Sequence, residues 1–582
     1  MKLTPQQEAA ITNSGHTLLV ACPGSGKTRA ITARLLRCVD DVRGTPRKVA
    51  CITYTNAAVH EIEHRLRQFG STGDEDYSEV STIHAFCLNN VIRHFSWKIK
   101  EYANGFCVLP SDSDEYLQLV QKIGDKYEID AYPRQMFDSL NRKPNGDPMT
   151  PDGIPDEAAI EFWSELQKEG YIDFCNIVYY SYCLLRDNVS LAANLASRYA
   201  SILIDEFQDT SDLQVHLLRL LFEQGSSEFF LVGDPEQSIY SFAGAQRELM
   251  FQFSNAIGAK RFHLSGNFRS SEPIVKCAEK LIARESEMLA VGGAKDFSDN
   301  PTYEHFATNF EAITDRFLPV IEELKIPLGK CAILCHNWFQ LMPLGNQLRE
   351  YGVPVVGPGA RPYKKRHLFA SLAEQVCAYV DNPKPEFITP AERELFFLVQ
   401  NLTGNADFRI FTYDGRRVLF RLLHEGQRLR EDHEGAKDWL LAASEVFSDV
   451  LCSEDLLPRK FATILPESVS DILQDMQDKD VDVENLTLND LGMFANPANN
   501  LKLLTMHGAK GREFSAVAVI SVLDGMVPYH NYYNPITDEG LAESRRLLYV
   551  SITRAKRLLM LFSKDDSKRP PSRFLKNLGF IE

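Results

Sequence analysis

Short apolar runs recur along the first half of the chain. They occupy residues 17–20 (TLLV), 201–204 (SILI) and 229–232 (FFLV), and the first leads into a glycine-rich stretch and a helical pattern through Leu36. Short runs that are apolar at almost every position are typical of strands buried on both faces of a parallel sheet. The pattern therefore predicts an α/β fold in which parallel sheets are flanked by helices.

The length and composition indicate several globular domains. The chain has 582 residues, of which 44% are apolar and 24% are charged, and a prior of about 100–200 residues per domain suggests about three to four domains. No stretch reaches the ~20 consecutive apolar residues that a membrane span needs. The first residues, MKLTPQQEAAITNSGHT, lack the pattern of a secretory signal. We therefore expect a soluble, cytoplasmic protein without a membrane partner.

The net charge of −16 argues against general binding of polyanions, because nucleic-acid-binding surfaces are often basic. A nucleic-acid site would therefore have to be a local groove. Two basic clusters interrupt the acidic composition, and such clusters are usually solvated faces. They comprise Arg361, Lys364, Lys365 and Arg366, and Lys568, Arg569 and Arg573.

The twelve cysteines include no CxxC pair, so their spacing does not favour a zinc or iron–sulfur site. Cys331, Cys335 and His336 form the densest group of ligand-type residues. This group lacks the second pair of ligands that such a site needs. Reduced cysteines in the protein core fit the pattern better.

The glycine-rich stretch after the first apolar run predicts a phosphate-binding loop. It reads Ala21-Cys22-Pro23-Gly24-Ser25-Gly26-Lys27-Thr28, with Ala21 at the place of the usual first glycine. Glycines allow backbone N–H groups to surround phosphate oxygens at a helix N-terminus. Lys27 would supply a positive charge to the β- and γ-phosphates, and the Thr28 hydroxyl would be a ligand of Mg²⁺. The strand before the loop and the helix after it are the context that this motif requires.

The second apolar run ends in the sequence Asp205-Glu206-Phe207-Gln208-Asp209. Ligands of open α/β sheets bind at the carboxyl ends of the strands, where Asp205 would face Mg²⁺ and Glu206 would orient and deprotonate the attacking water. Acidic pairs after a strand are usually solvated loop ends. Because a phosphate loop lies upstream, the catalytic interpretation is favoured, and the two segments together predict a site for ATP and Mg²⁺.

The third apolar run leads into Gly233-Asp234-Pro235-Glu236-Gln237 and then to Tyr240 and Phe242. Gln237 is placed to sense the γ-phosphate. The two aromatic side chains have two interpretations. They belong to the protein core, or they stack on nucleic-acid bases and link the nucleotide state to the grip on a strand.

These three segments resemble motifs I, II and III of the UvrD/Rep-like superfamily 1A helicases. Residues 3–7 (LTPQQ) are similar to the Q motif of that family, residues 52–58 (ITYTNAA) to motif Ia and residues 82–87 (TIHAFC) to motif Ib. The resemblance implies that Gln7 reads adenine and that motifs Ia and Ib contact single-stranded DNA. It assigns nucleotide binding to Gln7, Ala21, Gly24, Ser25, Gly26, Lys27, Thr28 and Arg29, and DNA contact to Tyr54, Thr55, Asn56, His84, Phe86, Tyr240 and Phe242.

The remaining family motifs follow in order. Residues 264–270 (LSGNFRS) resemble motif IV, residues 503–514 (LLTMHGAKGREF) motif V and residues 545–555 (RRLLYVSITRA) motif VI. The resemblance implies catalytic roles for Lys27, Glu206, Gln237, Arg269 and Arg554, and a Mg²⁺ site at Thr28 and Asp205. It further implies that Phe268 stacks on adenine, that Thr505 and His507 belong to the DNA track, and that Glu513 contacts the ribose or couples the two sites.

The resemblance also implies a domain organisation. A first RecA-like P-loop motor domain, 1A, comprises residues 1–88 and 172–260, with a helical insertion, 1B, at residues 89–171. A second RecA-like domain, 2A, comprises residues 261–365 and 495–582, with a reduced helical insertion, 2B, at residues 366–494. Insertion 2B contains an acidic stretch at residues 471–490. Such stretches are usually solvated or disordered, and a surface for docking a partner is the sharper alternative.

The implied activity is that of an ATP hydrolase that moves 3′ to 5′ along single-stranded DNA and unwinds tailed duplex DNA. Closure of the motor domains on ATP would bring Arg269 and Arg554 to the γ-phosphate, and relaxation after hydrolysis would alternate the grip on the strand. One departure puts the coupling through motif III in doubt. The family usually has F/W-R-G-A where this chain has Phe242-Ala243-Gly244-Ala245.

An alternative of a different class is an ATP-switch subunit that senses DNA and activates a partner nuclease in DNA repair or anti-phage defence. The short insertions and the acidic 2B segment favour this alternative. The chain ends 28 residues after Arg554, so we expect any nuclease activity to come from another protein.

Overall fold

The computed structural model describes residues 2–71, 73–111, 113–129, 137–151, 153–240, 244, 246–365, 367–403, 413–433, 435–479, 481–495, 497–530 and 536–582. The strands are β1 Thr17–Val20, β2 Lys48–Thr53, β3 Ser78–Thr82, β4 Cys107–Val108, β5 Asn141–Arg142, β6 Pro148–Met149, β7 Tyr171–Ile172, β8 Tyr199–Ile204, β9 Glu228–Gly233, β10 Lys260–His263, β11 Gly266–Asn267, β12 Leu289–Ala290, β13 Thr302–Phe306, β14 Cys331–Cys335, β15 Val355–Val356, β16 Leu501–Thr505, β17 Phe514–Val519 and β18 Ala555–Lys564.

The α-helices are α1 Pro5–Ile11, α2 Lys27–Val42, α3 Asn56–Phe69, α4 Ile83–Cys87, α5 Arg93–Phe95, α6 Asp114–Lys126, α7 Asp156–Lys168, α8 Phe174–Asp187, α9 Val189–Arg198, α10 Asp212–Gln224, α11 Arg247–Ala256, α12 Glu272–Leu281, α13 Asn309–Glu311, α14 Leu318–Glu323, α15 Trp338–Glu350, α16 Ala370–Asp381, α17 Ile388–Thr403, α18 Tyr413–Asp432, α19 Ala436–Ser453, α20 Ile464–Gln477, α21 Leu488–Gly492, α22 Asp538–Ile552 and α23 Phe574–Leu578. None of these described helices is long and apolar enough to cross a membrane.

The chain divides into two units. Unit 1 comprises Met1–Ser298 and Pro528–Thr553, and unit 2 comprises Asp299–Val527 and Arg554–Glu582. Unit 1 thus continues past residue 260, where the sequence predicts the end of domain 1A, and includes α22 with most of the motif VI segment. The reason is that α12 packs against α22 and residues next to or within these helices bond to loops at the edge of the first sheet. The boundaries of the motor domains stay a prediction.

Unit 1 is built on a six-stranded sheet in which every pair of neighbouring strands is parallel. The strand order is β10-β1-β9-β8-β2-β3. The predicted strands at 17–20, 201–204 and 229–232 correspond to β1 and to parts of β8 and β9. This confirms the α/β fold class with helix-flanked parallel sheets that the apolar runs indicate.

Successive side chains of a strand point to opposite faces of the sheet, and in unit 1 each face is covered by its own hydrophobic core. Leu18 packs with apolar residues of α8, α9, α10 and α11, whereas its neighbour Leu19 packs with those of α1, α2 and α3. Burial of one such side chain contributes about 1.5–3 kcal/mol. Both faces of the sheet are therefore covered, which leaves its strand ends as the places where polar groups can meet.

The predicted 1B segment has a small core of its own. Tyr116 of α6 and Phe162 and Trp163 of α7 are buried there, and the short strands β5 and β6 form an antiparallel hairpin. Arg142 of β5 lies over the Trp163 ring, with 3.9 Å between its guanidinium carbon and the ring centroid.

Unit 2 contains a second six-stranded parallel sheet, in the order β13-β18-β17-β14-β16-β15. Its buried central strand β14 begins and ends with Cys331 and Cys335. Both thiols face the apolar core of the unit, and burial raises their pKa values, that of Cys331 to about 12 and that of Cys335 to about 11.

The predicted 2B segment folds into helices α16 to α21 around buried Trp439 and Phe447. The acidic stretch 471–490 is part of this core, which is a correction to the expectation of a solvated or disordered segment. Its apolar residues Ile472, Met476 and Val483 are buried. The acidic side chains lie between these apolar positions in an amphipathic pattern. The number of charges in the stretch therefore does not reveal that it contains a packed helix.

Two residues of the first basic cluster, Arg361 and Lys364, form ion pairs where the chain enters this insertion. Arg361 makes two hydrogen bonds to the buried Glu374, of 2.7 and 2.9 Å, and Tyr363 donates its hydroxyl to the same carboxylate. Lys364 pairs with Asp475 at 3.0 Å. In the second cluster, Arg573 forms a bidentate pair with Asp524.

Candidate active site

The loops after β1, β8 and β9 lie side by side at one edge of the first sheet. Val20 of β1 pairs with Gly233 of β9, and Ile204 of β8 pairs with Leu231 of β9. Because neighbouring parallel strands end at the same edge, the glycine-rich loop, the acidic loop and the loop with Gln237 come together there.

The phosphate loop has the conformation that its glycines permit. Gly24 and Gly26 have φ values of +68° and +80°, in the left-handed region that favours glycine. The loop is tightened by the Ser25 hydroxyl, which donates to the Cys22 carbonyl at 2.7 Å. Helix α2 begins directly at Lys27 and has no side-chain N-cap. Its first N–H groups are thus oriented for an anion rather than for a capping side chain.

Lys27 and Glu206 form the central ion pair of the site, with 2.7 Å between Nζ and Oε2. Burial lowers the pKa of Lys27, but the nearby carboxylates of Glu206, Asp234 and Asp205 outweigh that effect and raise it overall. Burial and the charge of Glu206 raise the pKa of Asp205. The positive charge of Lys27 only partly offsets this shift, and a divalent cation at the site would favour the charged form of Asp205 further.

Glu206 has an unusual backbone conformation. Its φ of 49° and ψ of 41° place a non-glycine residue in the left-handed region, which costs about 1–3 kcal/mol. The cost is compensated by contacts that hold the side chain, because Glu206 accepts hydrogen bonds from Lys27 and from Gln208 Nε2, both at 2.7 Å. Strain of this kind clusters at functional sites.

Gln237 is held by the fully buried Asp234. The Gln237 amide donates to Asp234 Oδ2 at 2.5 Å, and the Asp234 backbone N–H donates to Gln208 Oε1 at 2.9 Å. Gln208 thereby bridges Glu206 and Asp234. The Gln208 amide thus connects the loops after β8 and β9, which are also joined by the Ser238 hydroxyl where it donates to the Gln208 carbonyl at 3.1 Å.

The motif IV segment contacts the phosphate loop directly. The Phe268 N–H donates to the Gly24 carbonyl at 2.9 Å, and a Cβ atom on Gly24 would lie 2.7 Å from Cβ of Arg269. Arg269 donates a guanidinium N–H to the Thr553 carbonyl at 3.2 Å. The Phe268 side chain is 40% exposed beside the loop, a position compatible with the predicted stacking on adenine.

Gln7 and Arg29 also border the phosphate loop. The Gln7 side chain closes a capping box with Thr4 at the start of α1, and its Nε2 donates to the Ser25 carbonyl at 3.0 Å. The buried Gln7 amide therefore braces the loop, and its contact with adenine stays a prediction. Arg29 is exposed on α2, where it donates to the Lys2 carbonyl.

Two predicted DNA-contacting tyrosines lie together. Tyr54 follows β2 and Tyr240 follows the loop after β9, and their rings stack at 5.6 Å with an interplanar angle of 15°. Tyr54 also lines a small cavity with Asp205 and Glu206. Thr55 caps α3, and Thr55 and Asn56 are exposed next to Tyr54. An aromatic pair thus adjoins the carboxylates of Asp205 and Glu206.

The motif Ib residues differ from one another in exposure. His84 is half-buried with its ring edge-on to Phe174 at 5.6 Å, and desolvation lowers its pKa to about 4. Phe86 is fully buried and packs on Tyr199 in the core. This burial contradicts the prediction of DNA contact for Phe86, because α4 places it on the face toward the sheet. Phe242 lies outside the described residues.

The motif V candidates lie at the end of β16 in unit 2. Thr505 is the last residue of the strand, and its hydroxyl accepts the Gly508 N–H at 3.0 Å. His507 follows, with its ring edge-on to that of His336 at 6.3 Å. Burial lowers the pKa of both histidines to about 4. Both rings are therefore neutral at physiological pH.

Glu513 and Arg554 directly precede β17 and β18, which are neighbouring strands of the same sheet. Glu513 pairs with Lys556 at 2.6 Å. Arg554 is 1% exposed, and its guanidinium donates to the Arg512 carbonyl at 3.3 Å. The nucleotide-related roles of Glu513 and Arg554 stay predictions.

Comparison with known proteins identifies the family. The profile of the UvrD/REP helicase N-terminal domain matches residues 3–258, and that of the UvrD-like helicase C-terminal domain matches residues 462–565. The chain belongs to the UvrD/Rep family of helicases. Members of this family hydrolyse ATP, so the chain is an ATP hydrolase.

Two relatives of this family resemble the chain over nearly its full length. The protein named ATP-dependent DNA helicase PcrA of Staphylococcus epidermidis is 26% identical over 642 aligned positions, which cover 98% of the chain and 86% of the relative. The protein of the same name from Staphylococcus aureus is 25% identical over 637 positions, which cover 99% and 86%.

The structure adds residues to this UvrD/Rep site that the motifs do not single out. Gln208 and Asp234 lie within recognised motifs, and their closeness in sequence to Glu206 and Gln237 could have marked them as site residues. Arg284 lies in none of the motifs. Its buried guanidinium contacts the motif III loop in this chain, which has Ala243 in place of the usual family arginine.

Proposed function

We propose that this UvrD/Rep-family ATP hydrolase is a DNA helicase that moves 3′ to 5′ along single-stranded DNA, with the first sheet as motor domain 1A and the second as motor domain 2A. The observation that carries the proposal is the convergence of Lys27, Glu206 and Gln237 at one sheet edge beside a stacked tyrosine pair. The names of the two staphylococcal relatives support DNA as the substrate, and family likeness supports the direction of travel.

The residues of the site fit ATP with Mg²⁺. The left-handed Gly24 and Gly26 and the uncapped start of α2 form a backbone cradle for phosphates. The Thr28 hydroxyl and the Asp205 carboxylate are oxygen donors, the type that Mg²⁺ prefers. When bound, Mg²⁺ would neutralise charge on the β- and γ-phosphates.

The ion pair between Lys27 and Glu206 suggests how binding prepares the base. Lys27 holds the Glu206 carboxylate at 2.7 Å, and a phosphate oxygen would compete with that carboxylate for the ammonium group. Loss of the pair removes Lys27 from Glu206 Oε2, while the hydrogen bond from Gln208 Nε2 at 2.7 Å still orients this oxygen. Glu206 then accepts a proton from the attacking water.

Gln237 and Arg269 are assigned to the γ-phosphate. Both are tied to the loops of the site, Gln237 through Asp234, and Arg269 through its neighbour Phe268, whose N–H donates to the Gly24 carbonyl. Charge develops on the γ-phosphoryl oxygens in the transition state, and fixed donors stabilise it without reorganising. We assign Arg554 to the same charge by family likeness.

Single-stranded DNA is assigned to the surface that begins at Tyr54 and Tyr240. Aromatic rings bind bases without sequence preference, at about 1–3 kcal/mol per stacked base. Tyr54 shares a cavity with Asp205 and Glu206, so movement of a base at this place can be transmitted to the catalytic carboxylates. Thr55, Asn56 and His84 extend this surface, and Thr505 and His507 are its counterparts in unit 2.

A steady-state ATPase assay with and without a single-stranded oligonucleotide tests the proposal. We expect strong stimulation by DNA, and a loss of kcat of at least about 100-fold for Lys27→Ala and for Glu206→Gln, because each removes charge chemistry that the γ-phosphate step needs. Lys48 and Glu228 are the first residues of β2 and β9, at the strand ends away from the site. Lys48→Ala and Glu228→Gln are therefore matched controls and should retain wild-type rates. ATP hydrolysis that ignores DNA would refute the motor assignment.

Unwinding separates the helicase from the alternative DNA-sensing subunit. The purified chain should unwind a duplex with a 3′ single-stranded tail in the presence of ATP and should leave a duplex with a 5′ tail intact. Hydrolysis without unwinding, restored only when a nuclease from the same cells is added, would favour the partner-dependent alternative.

A further inference from the structure

Arg284 is a buried arginine at the meeting point of three loops. Its side chain is only 7% exposed, and its Nη2 lies 2.9 Å from Oδ1 of the fully buried Asp234. The same nitrogen donates to the Ala21 carbonyl at 2.6 Å, where the phosphate loop begins. Its Nη1 donates to the hydroxyl of the fully buried Tyr549, on α22, at 3.0 Å.

The partner of Arg284 is also the partner of the γ-phosphate sensor. Asp234 uses Oδ2 for the Gln237 amide and Oδ1 for Arg284 and for the Glu236 N–H. The orientation of the Asp234 carboxylate therefore fixes where the Gln237 amide lies. A guanidinium sets that orientation more strictly than an ammonium, because its planar fork donates in fixed directions.

The same contacts extend to motif II and motif VI. Asp234 donates its N–H to Gln208, which donates to Glu206, which accepts from Lys27. On the other side, Tyr549 lies on α22, and Arg546 of that helix donates to the Ser238 carbonyl of motif III at 2.8 Å. A continuous chain of hydrogen bonds thus runs from α22 to Lys27.

We propose that Arg284 is a positioning residue for ATP hydrolysis, which acts through Asp234 to hold the Gln237 amide at the γ-phosphate and to tie motif III to α22. This inference rests on the proposed function. In a chain that lacks the usual motif III arginine at Ala243, Arg284 supplies a buried positive charge that contacts the Asp234 carboxylate of the motif III loop from outside the motif.

The competing explanation is that the ion pair only stabilises the fold. Burial of Asp234 requires a partner charge whether or not the enzyme turns over. The two explanations differ in what a conservative change should do. A lysine keeps the positive charge, but it cannot reproduce the forked contacts to Ala21, Asp234 and Tyr549.

The experiment compares Arg284→Lys with Arg34→Lys, a matched buried arginine. Arg34 pairs with Glu228 at 2.8 Å and donates to the carbonyls of Ile11 and Asn13, away from the strand ends that carry the site. With saturating single-stranded DNA, we expect Arg284→Lys to lower kcat about 10- to 100-fold with KM for ATP within about threefold of wild type. Arg34→Lys should leave both constants unchanged.

Action through Gln237 is tested by combining substitutions. Gln237→Ala should lower kcat, and adding Arg284→Lys to it should cause less than about a twofold further loss, since residues that act as a unit are not additive. Wild-type kcat in Arg284→Lys, or losses that multiply in the double variant, would overturn the proposal.

Two further variants keep the result interpretable. If Arg284→Lys does not fold, Tyr549→Phe decides by the same criteria, because it removes only the hydroxyl that Arg284 Nη1 contacts. Lys27→Ala monitors the proposed function itself. If Lys27→Ala hydrolyses ATP like the wild type, the proposed function fails, whereas an inactive Lys27→Ala beside a fully active Arg284→Lys refutes only the role of Arg284.

Discussion

At the scale of single residues, the phosphate loop depends on backbone conformations that only some residues adopt. Gly24 is left-handed and also close to its neighbours, because a Cβ there would lie 2.7 Å from Arg269 Cβ and 2.8 Å from Asn267 Oδ1. Gly15 is equally left-handed, with φ of +87°, but nothing lies within 4 Å of the place of its Cβ. A comparison of substitutions at Gly24 and Gly15 therefore distinguishes the energetic cost of the left-handed conformation from that of a steric clash.

Gly24→Ala should therefore be more harmful than Gly15→Ala. The conformational cost for a non-glycine residue in this region is about 1–2 kcal/mol, and both variants should show it in urea unfolding. Only Gly24→Ala should also raise KM for ATP, by about 10-fold or more, since the displaced loop no longer surrounds the phosphates. Equal KM values for the two variants would contradict the contact between the loop and Arg269.

Local patterns predicted Lys27, Thr28, Asp205, Glu206 and Gln237 because each follows a recognisable strand within a few residues. Two other parts of the site have no such signal. Arg284 and Tyr549 meet across 265 positions of the chain, and nothing near either residue in the sequence points to the other. The burial of Phe86 was missed because motif likeness assigns a segment and does not say which face of a short helix each side chain occupies.

At the scale of elements, the entry to the 2B insertion is fixed by ion pairs on α16 and α20. Asp475 of α20 accepts hydrogen bonds from Lys364 at 3.0 Å and from His367 at 2.6 Å. Desolvation works against the charged form, but these partners hold the pKa of Asp475 well below its usual range. Composition alone assigns Lys364 to a solvated face. In the structure it joins the start of the 2B insertion to α20.

Asp475→Asn should destabilise this junction by about 1–2 kcal/mol, because it removes the charge from two charge-assisted hydrogen bonds. Asp471→Asn, on the exposed side of the same helix, is the matched control and should change the free energy of unfolding by less than about 0.5 kcal/mol. Urea unfolding followed by circular dichroism measures both. Equal stabilities would show that the junction does not depend on Asp475.

Element prediction from the sequence was accurate where burial was uniform. The apolar runs identify β1, β8 and β9, and the amphipathic acidic stretch was misjudged because its net charge hid a buried stripe. Strand order in the two sheets could not be derived from the runs themselves, since neighbours such as β1 and β10 are far apart in sequence and similar in composition.

At the scale of the whole molecule, three half-buried histidines make stability depend on pH. Burial lowers the pKa values of His84, His336 and His507 from 6.5 to about 4. The folded state therefore holds these rings neutral, whereas the unfolded state protonates them near pH 6.5. Their contribution to stability is complete above pH 6.5 and is lost as the pH falls from 6.5 towards 4.

The free energy of unfolding should accordingly fall below pH 6.5, at up to about 1.4 kcal/mol per pH unit for each histidine. Replacing His84, His336 or His507 by Gln should make this decline shallower, as measured by urea unfolding at pH 7.5, 6 and 5. His60→Gln, at a side chain that is 75% exposed, should leave the slope unchanged. An unchanged slope in all three variants would refute the burial of these rings as its cause.

The sheet of unit 2 takes its strands from distant parts of the chain. β14 lies between β16 and β17, and β13 pairs only with β18 among the described strands. During synthesis, β14 leaves the ribosome before the residues of β16 are joined, a delay of about 10–30 s at about 5–20 residues per second. Helices α16 to α21 emerge in that interval and pack mainly on one another. The insertion can thus fold before β16 and β17 are made, and the hydrophobic β14 stays unpaired during that interval, when it is open to chaperones and to aggregation in the nascent chain.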